Sequence, residues 1–215
     1  MQIRPIAKMM ATLGAFATVI AVVLAGAPPT SASNGKCFNK QGERLLRACQ
    51  IGDYGPGGGI VFYDAGSQQS WGRYLEVAPA KWRNGKDYQL WCPLGAADDA
   101  PALLTSTEIG TGAANTQAII DDCGTSTAAG VAAAYRGGKK SDWYLPSKDE
   151  LQALWNSPRR AGLGFTSNYY WSSSQVVSQA GGTFGEAWTT YFGDGSEHTG
   201  AKDGTDNRVR PIRKF

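Results

Sequence analysis

The sequence predicts an α+β domain in which about three helices pack on a small antiparallel sheet, stapled by disulfides. Three observations point there. Short apolar or alternating runs bounded by Gly and Asp occur toward both ends of the 215-residue chain, helical patterns fill its middle, and four cysteines are spread along it. That length allows one ordinary core or two very small ones.

The first elements are an address and a loop. Arg4 and Lys8 precede an apolar run over 9–27, and small residues around Ala32 and Ser33 follow. This is the pattern of a signal peptide spanning 1–33, cleaved after Ala32 or Ser33; an uncleaved anchor is the alternative. The expected localisation is therefore secreted or extracellular cell surface, with no membrane span after cleavage. Residues 34–50 then form an N-terminal cysteine loop, and 51–215 read as one continuous domain.

All four cysteines, Cys37, Cys49, Cys92 and Cys123, fall in the exported part. An even count in an oxidising compartment reads as two disulfides. Of the three connectivities, Cys37–Cys49 with Cys92–Cys123 closes the nearest loops without threading. A zinc site would want C-x-x-C spacing, which is absent.

Gly55-Pro56-Gly57-Gly58-Gly59 is turn material before a short strand at Ile60-Val61-Phe62-Tyr63. Asp64-Ala65-Gly66 is read as its end, and residues 73–78 alternate as a second strand, giving a hairpin with a long connection. Helices follow over 113–122 and 127–135, the second stopping at Gly137-Gly138. Ser147-Lys148-Asp149-Glu150 is a capping box opening a third helix, whose Leu151, Leu154 and Trp155 share one face until Pro158. Residues 169–171, 187–192 and 207–212 are the late strand candidates. Between the last two lies a charged surface loop over 196–206, the kind of segment where binding function sits.

Composition narrows the chemistry. The formal net charge is +3, and removing Arg4 and Lys8 with the signal leaves the remainder near neutral, with no polycation for nucleic acid. A single histidine, His198, excludes a zinc site built on two imidazoles. The Glu108-Ile109-Gly110-Thr111-Gly112 run lacks a preceding strand and the full dinucleotide fingerprint, so no cofactor is expected. Asp194, Glu197, Asp203 and Asp206 could offer calcium oxygens but fit no EF-hand and read better as a solvated loop; no metal is expected. Ser172-Ser173-Ser174 with His198 is the one imaginable catalytic set, without a Gly-x-Ser-x-Gly elbow. Trp155, Trp171 and Trp188 fall on patterned faces and read first as core, although an indole can also stack on a sugar ring. Alternation puts Arg208 and Arg210 on one face of a strand and Val209 on the other, a spacing suited to sulfate or carboxylate; the alternative is a solvated edge strand, blocked by Pro211, with its arginines salt-bridged to nearby Asp or Glu.

Several phrases together resemble a known family. They are Gly52-Asp53-Tyr54-Gly55-Pro56-Gly57-Gly58-Gly59-Ile60, Ser141-Asp142-Trp143-Tyr144-Leu145-Pro146-Ser147-Lys148-Asp149-Glu150-Leu151, and Tyr170-Trp171-Ser172-Ser173-Ser174. Ala187-Trp188, Phe192-Gly193-Asp194-Gly195 and Asn207-Arg208-Val209-Arg210-Pro211-Ile212-Arg213 complete the set. Their order and spacing over 51–215 resemble the DUF1566 family, which includes the C-terminal domain of the Legionella collagen-like adhesin. The resemblance implies an exported bacterial domain of C-type-lectin-like topology and, through the adhesin, binding of sulfated polysaccharide. The collagen-like repeats and the Glu-Pro-Asn and Trp-Asn-Asp calcium motifs of true C-type lectins are absent.

The expected function is an exported bacterial binding module, adhesin-like and non-enzymatic, presenting its C-terminal loops to a sulfated or acidic polysaccharide or another cell-surface ligand. The expected contacts are Trp188, Glu197, Lys202, Asp206, Arg208 and Arg210. The alternatives are an extracellular hydrolase acting on glycan or peptide, and a structural cell-envelope protein without a specific ligand.

Overall fold

The computed structural model describes residues 36–93, 105–176 and 185–215. The signal peptide expected over 1–33 lies outside them. No helix among the described residues is long and apolar enough to cross a membrane.

Two three-stranded antiparallel sheets replace the single expected sheet. The first has the order β1–β2–β6, from β1 (Ile60–Gln69), β2 (Gly72–Val77) and β6 (Ile212–Lys214). The second is a meander of β3 (Tyr169–Gln175), β4 (Glu186–Tyr191) and β5 (Glu197–Ala201). Helices α1 (Gly112–Cys123), α2 (Ala128–Ala133) and α3 (Lys148–Asn156) lie between the sheets in sequence, as the helical patterns predict. The small α+β domain expected from the sequence is therefore present, with both disulfides, Cys37–Cys49 and Cys92–Cys123, paired as nearest neighbours.

Three strand boundaries differ from expectation, each for a local reason. The first strand does not end at Asp64-Ala65-Gly66 but runs on to Gln69. Gly66 takes φ +77° and donates its N–H to the Asp64 carboxylate, so the turn residues are absorbed as an irregularity in the ladder. Arg73 on β2 then grips Asp64 through two hydrogen bonds of 2.7 and 3.0 Å. The charged loop expected at 196–206 is half strand, since Glu197 through Ala201 pair with β4. The strand expected at 207–212 begins only at Ile212. Arg208 instead makes isolated bridges to Tyr88 and Tyr170, and Pro211 brings no N–H to continue a ladder.

The apolar residues divide among three clusters. Leu75, Leu151, Leu154, Tyr170 and Ile212 fill the space between α3 and the two sheets. Trp91, Ile119, Leu145, Trp171 and Val209 join α1 and α2 to the second sheet. A smaller cluster places the Cys37–Cys49 disulfide on Val61 and Tyr74, with Phe215 stacked on Tyr74 at 5.4 Å.

Two buried carboxylates organise the frame. Glu76 on β2 is fully buried, and its oxygens accept the N–H groups of Gly57 and Gly59 and a 2.8 Å bond from Arg213. A Cβ at Gly57 would stand 2.6 Å from the Trp143 ring and 2.8 Å from the Glu76 carboxylate, which is why this loop is glycine. Arg213 also reaches Asp142, so the glycine loop, the first sheet and the 141–147 segment meet at one guanidinium. Burial pushes the Glu76 carboxyl above its ordinary value, against the pull of Arg213 and the two amides.

Glu150 closes the capping box. Its carboxylate accepts from the Ser147 and Gly110 amides and the Tyr144 hydroxyl, while Ser147 accepts from the Glu150 amide and donates to the Glu108 carbonyl. Ser147→Ala removes a buried cap and is expected to lower stability by about 1–2 kcal/mol, read as a shift in the urea midpoint at unchanged m.

Candidate ligand-binding face

The six predicted contacts do not form one site. Strand alternation puts Trp188 and Glu197 on the face of the second sheet that meets α3, where Lys148 joins them. Its ammonium lies 2.8 Å from the Glu197 carboxylate and 5.1 Å from the Trp188 ring centroid. Lys202 is buried, with its ammonium 4.7 Å over the Trp91 ring, and its carbonyl accepts from the amides of Trp91 and Cys92. Asp206 is exposed.

The arginine pair requires correction. Arg210 does not share an exposed face with Arg208; it is 2% exposed and packs 4.4 Å over the Phe165 ring. Its guanidinium donates to the carbonyls of Ala78, Leu163 and Gly164, tying the end of the first sheet to the 160–164 turn. Burial pulls its pKa below the ordinary value. Val209 is buried beside it, because 207–211 is irregular chain between two cores rather than a strand with two faces. Arg208 remains at the surface, with one guanidinium nitrogen 2.9 and 3.0 Å from the two oxygens of Asp87. Arg213 is spent on Glu76 and Asp142. The basic C-terminal stretch therefore holds the fold together more than it faces solvent.

What the structure does assemble is an aromatic face on the other side of the second sheet. Tyr169 of β3 lies 4.9 Å from the Tyr191 ring of β4 and meets the His198 imidazole of β5 edge-on at 5.3 Å. Beside this row stands Tyr88, whose hydroxyl accepts from Asn168 at 3.0 Å and whose ring carries the Arg208 guanidinium at 4.3 Å. The pairing Tyr88–Arg208–Tyr170 brings these segments side by side. Tyr88 and Tyr169 remain 40% and 38% exposed, unusual for rings so close to a core. Beneath them, Thr189 is buried, and its hydroxyl has no hydrogen-bond partner among the described residues.

Sequence reasoning passed over Tyr88, Asn168, Tyr169 and Tyr191. Tyr169 shares a strand face with Trp171, so period-two alternation sends both inward. Only Trp171 is covered: its indole donates to the Gln89 carbonyl and lies under Gly200, where a Cβ would be 2.8 Å from the ring. Tyr169 sits at the open end of the strand. Tyr88 follows no apolar pattern at all, and only its aromatic ring in a polar loop could have marked it.

The catalytic set does not assemble. Ser172, Ser173 and Ser174 are fully buried, and each hydroxyl is already engaged by the Ser174 amide, Asn115, or Lys148 and Ser106. His198 instead bonds Ser196 at 2.8 Å. The Ser196 hydroxyl lies 2.5 Å from Asp194, so its single proton goes to the carboxylate and the imidazole must donate. A base that donates to the serine cannot deprotonate it, and Asp194 holds the serine rather than the histidine. Those Ser196 bonds also hold the Asp194 carboxyl below its usual range. Among the described residues no three His, Cys, Asp or Glu side chains converge to hold a metal ion.

A cleft of about 560 Å³ lies elsewhere, between the cysteine loop and the 158–163 turn, lined by Lys40, Tyr54 and Arg159 among others. It contains none of the predicted contacts. The phrases that carry the DUF1566 resemblance mostly build the frame: the glycine cradle of Glu76, the Glu150 cap, and the Arg210 and Arg213 anchors. Compared with known proteins, the chain matches no family model and no curated protein.

Proposed function

We propose that this chain is an exported bacterial binding module that holds a polysaccharide on the aromatic face of Tyr88, Tyr169, Tyr191 and His198. The observation that carries the reading is the pair of exposed tyrosines fixed at the edge of the second sheet. Tyrosine offers a flat apolar ring with little entropy to lose and a hydroxyl that stays wet, which suits the C–H face of a sugar. Asn168 and Arg208 supply polar contacts at its rim, and Arg208 is where a sulfate or carboxylate would register. Two disulfides fit an oxidising, extracellular setting. A C-type-lectin-like topology is part of this proposal, supported by a first hairpin closed by β6 with all other elements inserted between.

Because Arg208 is paired with Asp87 and Arg210 is buried, stacking rather than charge carries the affinity. The sheet face's share of retention on an acidic polysaccharide gel, read as the ratio of wild type to the Tyr88→Ala, Tyr169→Ala variant, is therefore expected to change little with added salt. Tyr88→Ala and Tyr169→Ala should each weaken retention, and the double variant should weaken it at least about tenfold with an unchanged thermal melt. Full retention by the folded double variant would overturn the face. A glycan array on which the wild-type protein binds nothing would favour a structural envelope role.

A further inference from the structure

A second aromatic surface lies where α2 ends. Tyr135 is fixed on two sides, edge-on to Trp82 at 5.6 Å and to Trp143 at 4.9 Å. Gly137 makes room for it, since a Cβ there would come within 2.6 Å of the tyrosine ring. Trp82 is pinned in turn by a 3.1 Å bond from its indole N–H to the Val209 carbonyl. Trp82 and Tyr135 line a pocket of about 260 Å³, completed by Val131, Ala134, Arg83 and Arg136.

The two arginines differ from those that hold the fold. Arg47, Arg73, Arg208 and Arg213 each face a carboxylate. Arg83 and Arg136 form no ion pair among the described residues, and no acidic side chain lines the pocket. Arg136 is nevertheless positioned, because one guanidinium nitrogen donates to the Ala133 and Tyr135 carbonyls at 2.7 and 2.8 Å. Its remaining N–H groups are left for an acceptor at the rim. Arg83 reaches Gln89 only at 3.4 Å.

We infer that this pocket holds one uronic acid ring, its C–H face against one ring of the Trp82–Tyr135 corner and its edge against the other, with its carboxylate between Arg83 and Arg136. Size limits the occupant, because the volume falls just below the roughly 300–1,000 Å³ that takes a drug-sized ligand. Charge complementarity selects an anion, and the corner made by the perpendicular Trp82 and Tyr135 rings offers a sugar ring one aromatic face and one edge. The segment that carries Arg83 also carries Tyr88, so the pocket would read the acidic unit of the polysaccharide whose other units lie on the sheet face. For that chain the inference rests on the proposed function; the pocket's own occupant does not.

The test is an NMR titration of the whole domain with methyl glucuronide and, separately, methyl glucoside. The glucuronide is expected to shift the Trp82 indole and Arg136 resonances, and the glucoside to leave them still at the same concentration. Arg83→Gln with Arg136→Gln should weaken glucuronide binding at least tenfold. Arg136→Lys should restore part of it, and Tyr88→Ala with Tyr169→Ala should leave it unchanged. Equal shifts with the glucoside, or full glucuronide binding by the double arginine variant, would overturn the inference. Equal shifts with acetate would reduce the pocket to a simple anion site and overturn it too. Loss of polysaccharide binding in the tyrosine variant alone would leave the sheet face standing and remove the pocket.

Discussion

Arg213→Ala is expected to destabilise the protein by about 3–5 kcal/mol at neutral pH, because it strands a buried carboxylate without its counter-charge. The carboxylate is that of Glu76, 0% exposed, and the lost partner also ties in Asp142. For a domain whose whole stability is of order 5–15 kcal/mol, this approaches unfolding. The sign of its pH dependence follows from burial. With Arg213 gone, only the Gly57 and Gly59 amides still oppose desolvation, and the folded-state pKa of Glu76 moves further above the unfolded value. The penalty is then full above the folded pKa and vanishes as pH falls toward the unfolded value of about 4.3. The gap between Arg213→Ala and wild type should therefore narrow as the pH of the urea melt is lowered from 7.5 to 4.5. Adding Glu76→Gln should recover part of the loss at pH 7.5. A gap that stays constant with pH, and no gain from Glu76→Gln, would show that packing rather than charge sets the cost.

Removing the Cys92–Cys123 bridge as Cys92→Ala with Cys123→Ala should cost about 3.7 kcal/mol if chain entropy governs, given the 31-residue separation. The Cys37–Cys49 bridge closes a separation of 12 and should cost about 0.8 kcal/mol less on the same account. Paired urea melts of the two double variants would measure that order. Location works with loop length here. Cys92 sits in the main core beside Trp91, and its partner ends α1, so the bridge holds a helix against the second sheet. The shorter bridge caps a peripheral cluster. If the peripheral variant proved the less stable of the two, the entropic ordering would be wrong.

Local chemistry was the most legible layer of this sequence. The Ser147/Glu150 capping box, the end of α1 before Gly124 and the nearest-neighbour cysteine pairs depend on residues close in the chain, whereas α2 ends at Ala133, short of the Gly137-Gly138 expected to stop it. Long-range pairing was not legible. Asp64-Ala65-Gly66 has the composition of a turn, yet Arg73 across the ladder supplies a partner that keeps the strand going. Arg208 and Arg210 alternate as a strand would, but neighbours at Tyr88 and Leu163, far away in sequence, decide that one faces solvent and the other a bed of carbonyls. The candidate face was hidden for the same reason. Tyr88, Tyr169 and His198 come from three segments, and nothing in any one of them records the others.

The first sheet has a consequence for the order in which the chain can fold. β1 and β2 are neighbours in sequence, but the edge of β2 is covered only by β6, and the Glu76–Arg213 contact spans 137 residues. Loop closure of that length is slow, and until it happens the hairpin keeps a bare hydrogen-bonding edge. A chain delivered from its N-terminus cannot seal this sheet while residues 212–214 are still to come. For that whole interval the open β2 edge is most exposed to edge-to-edge association with its own copies.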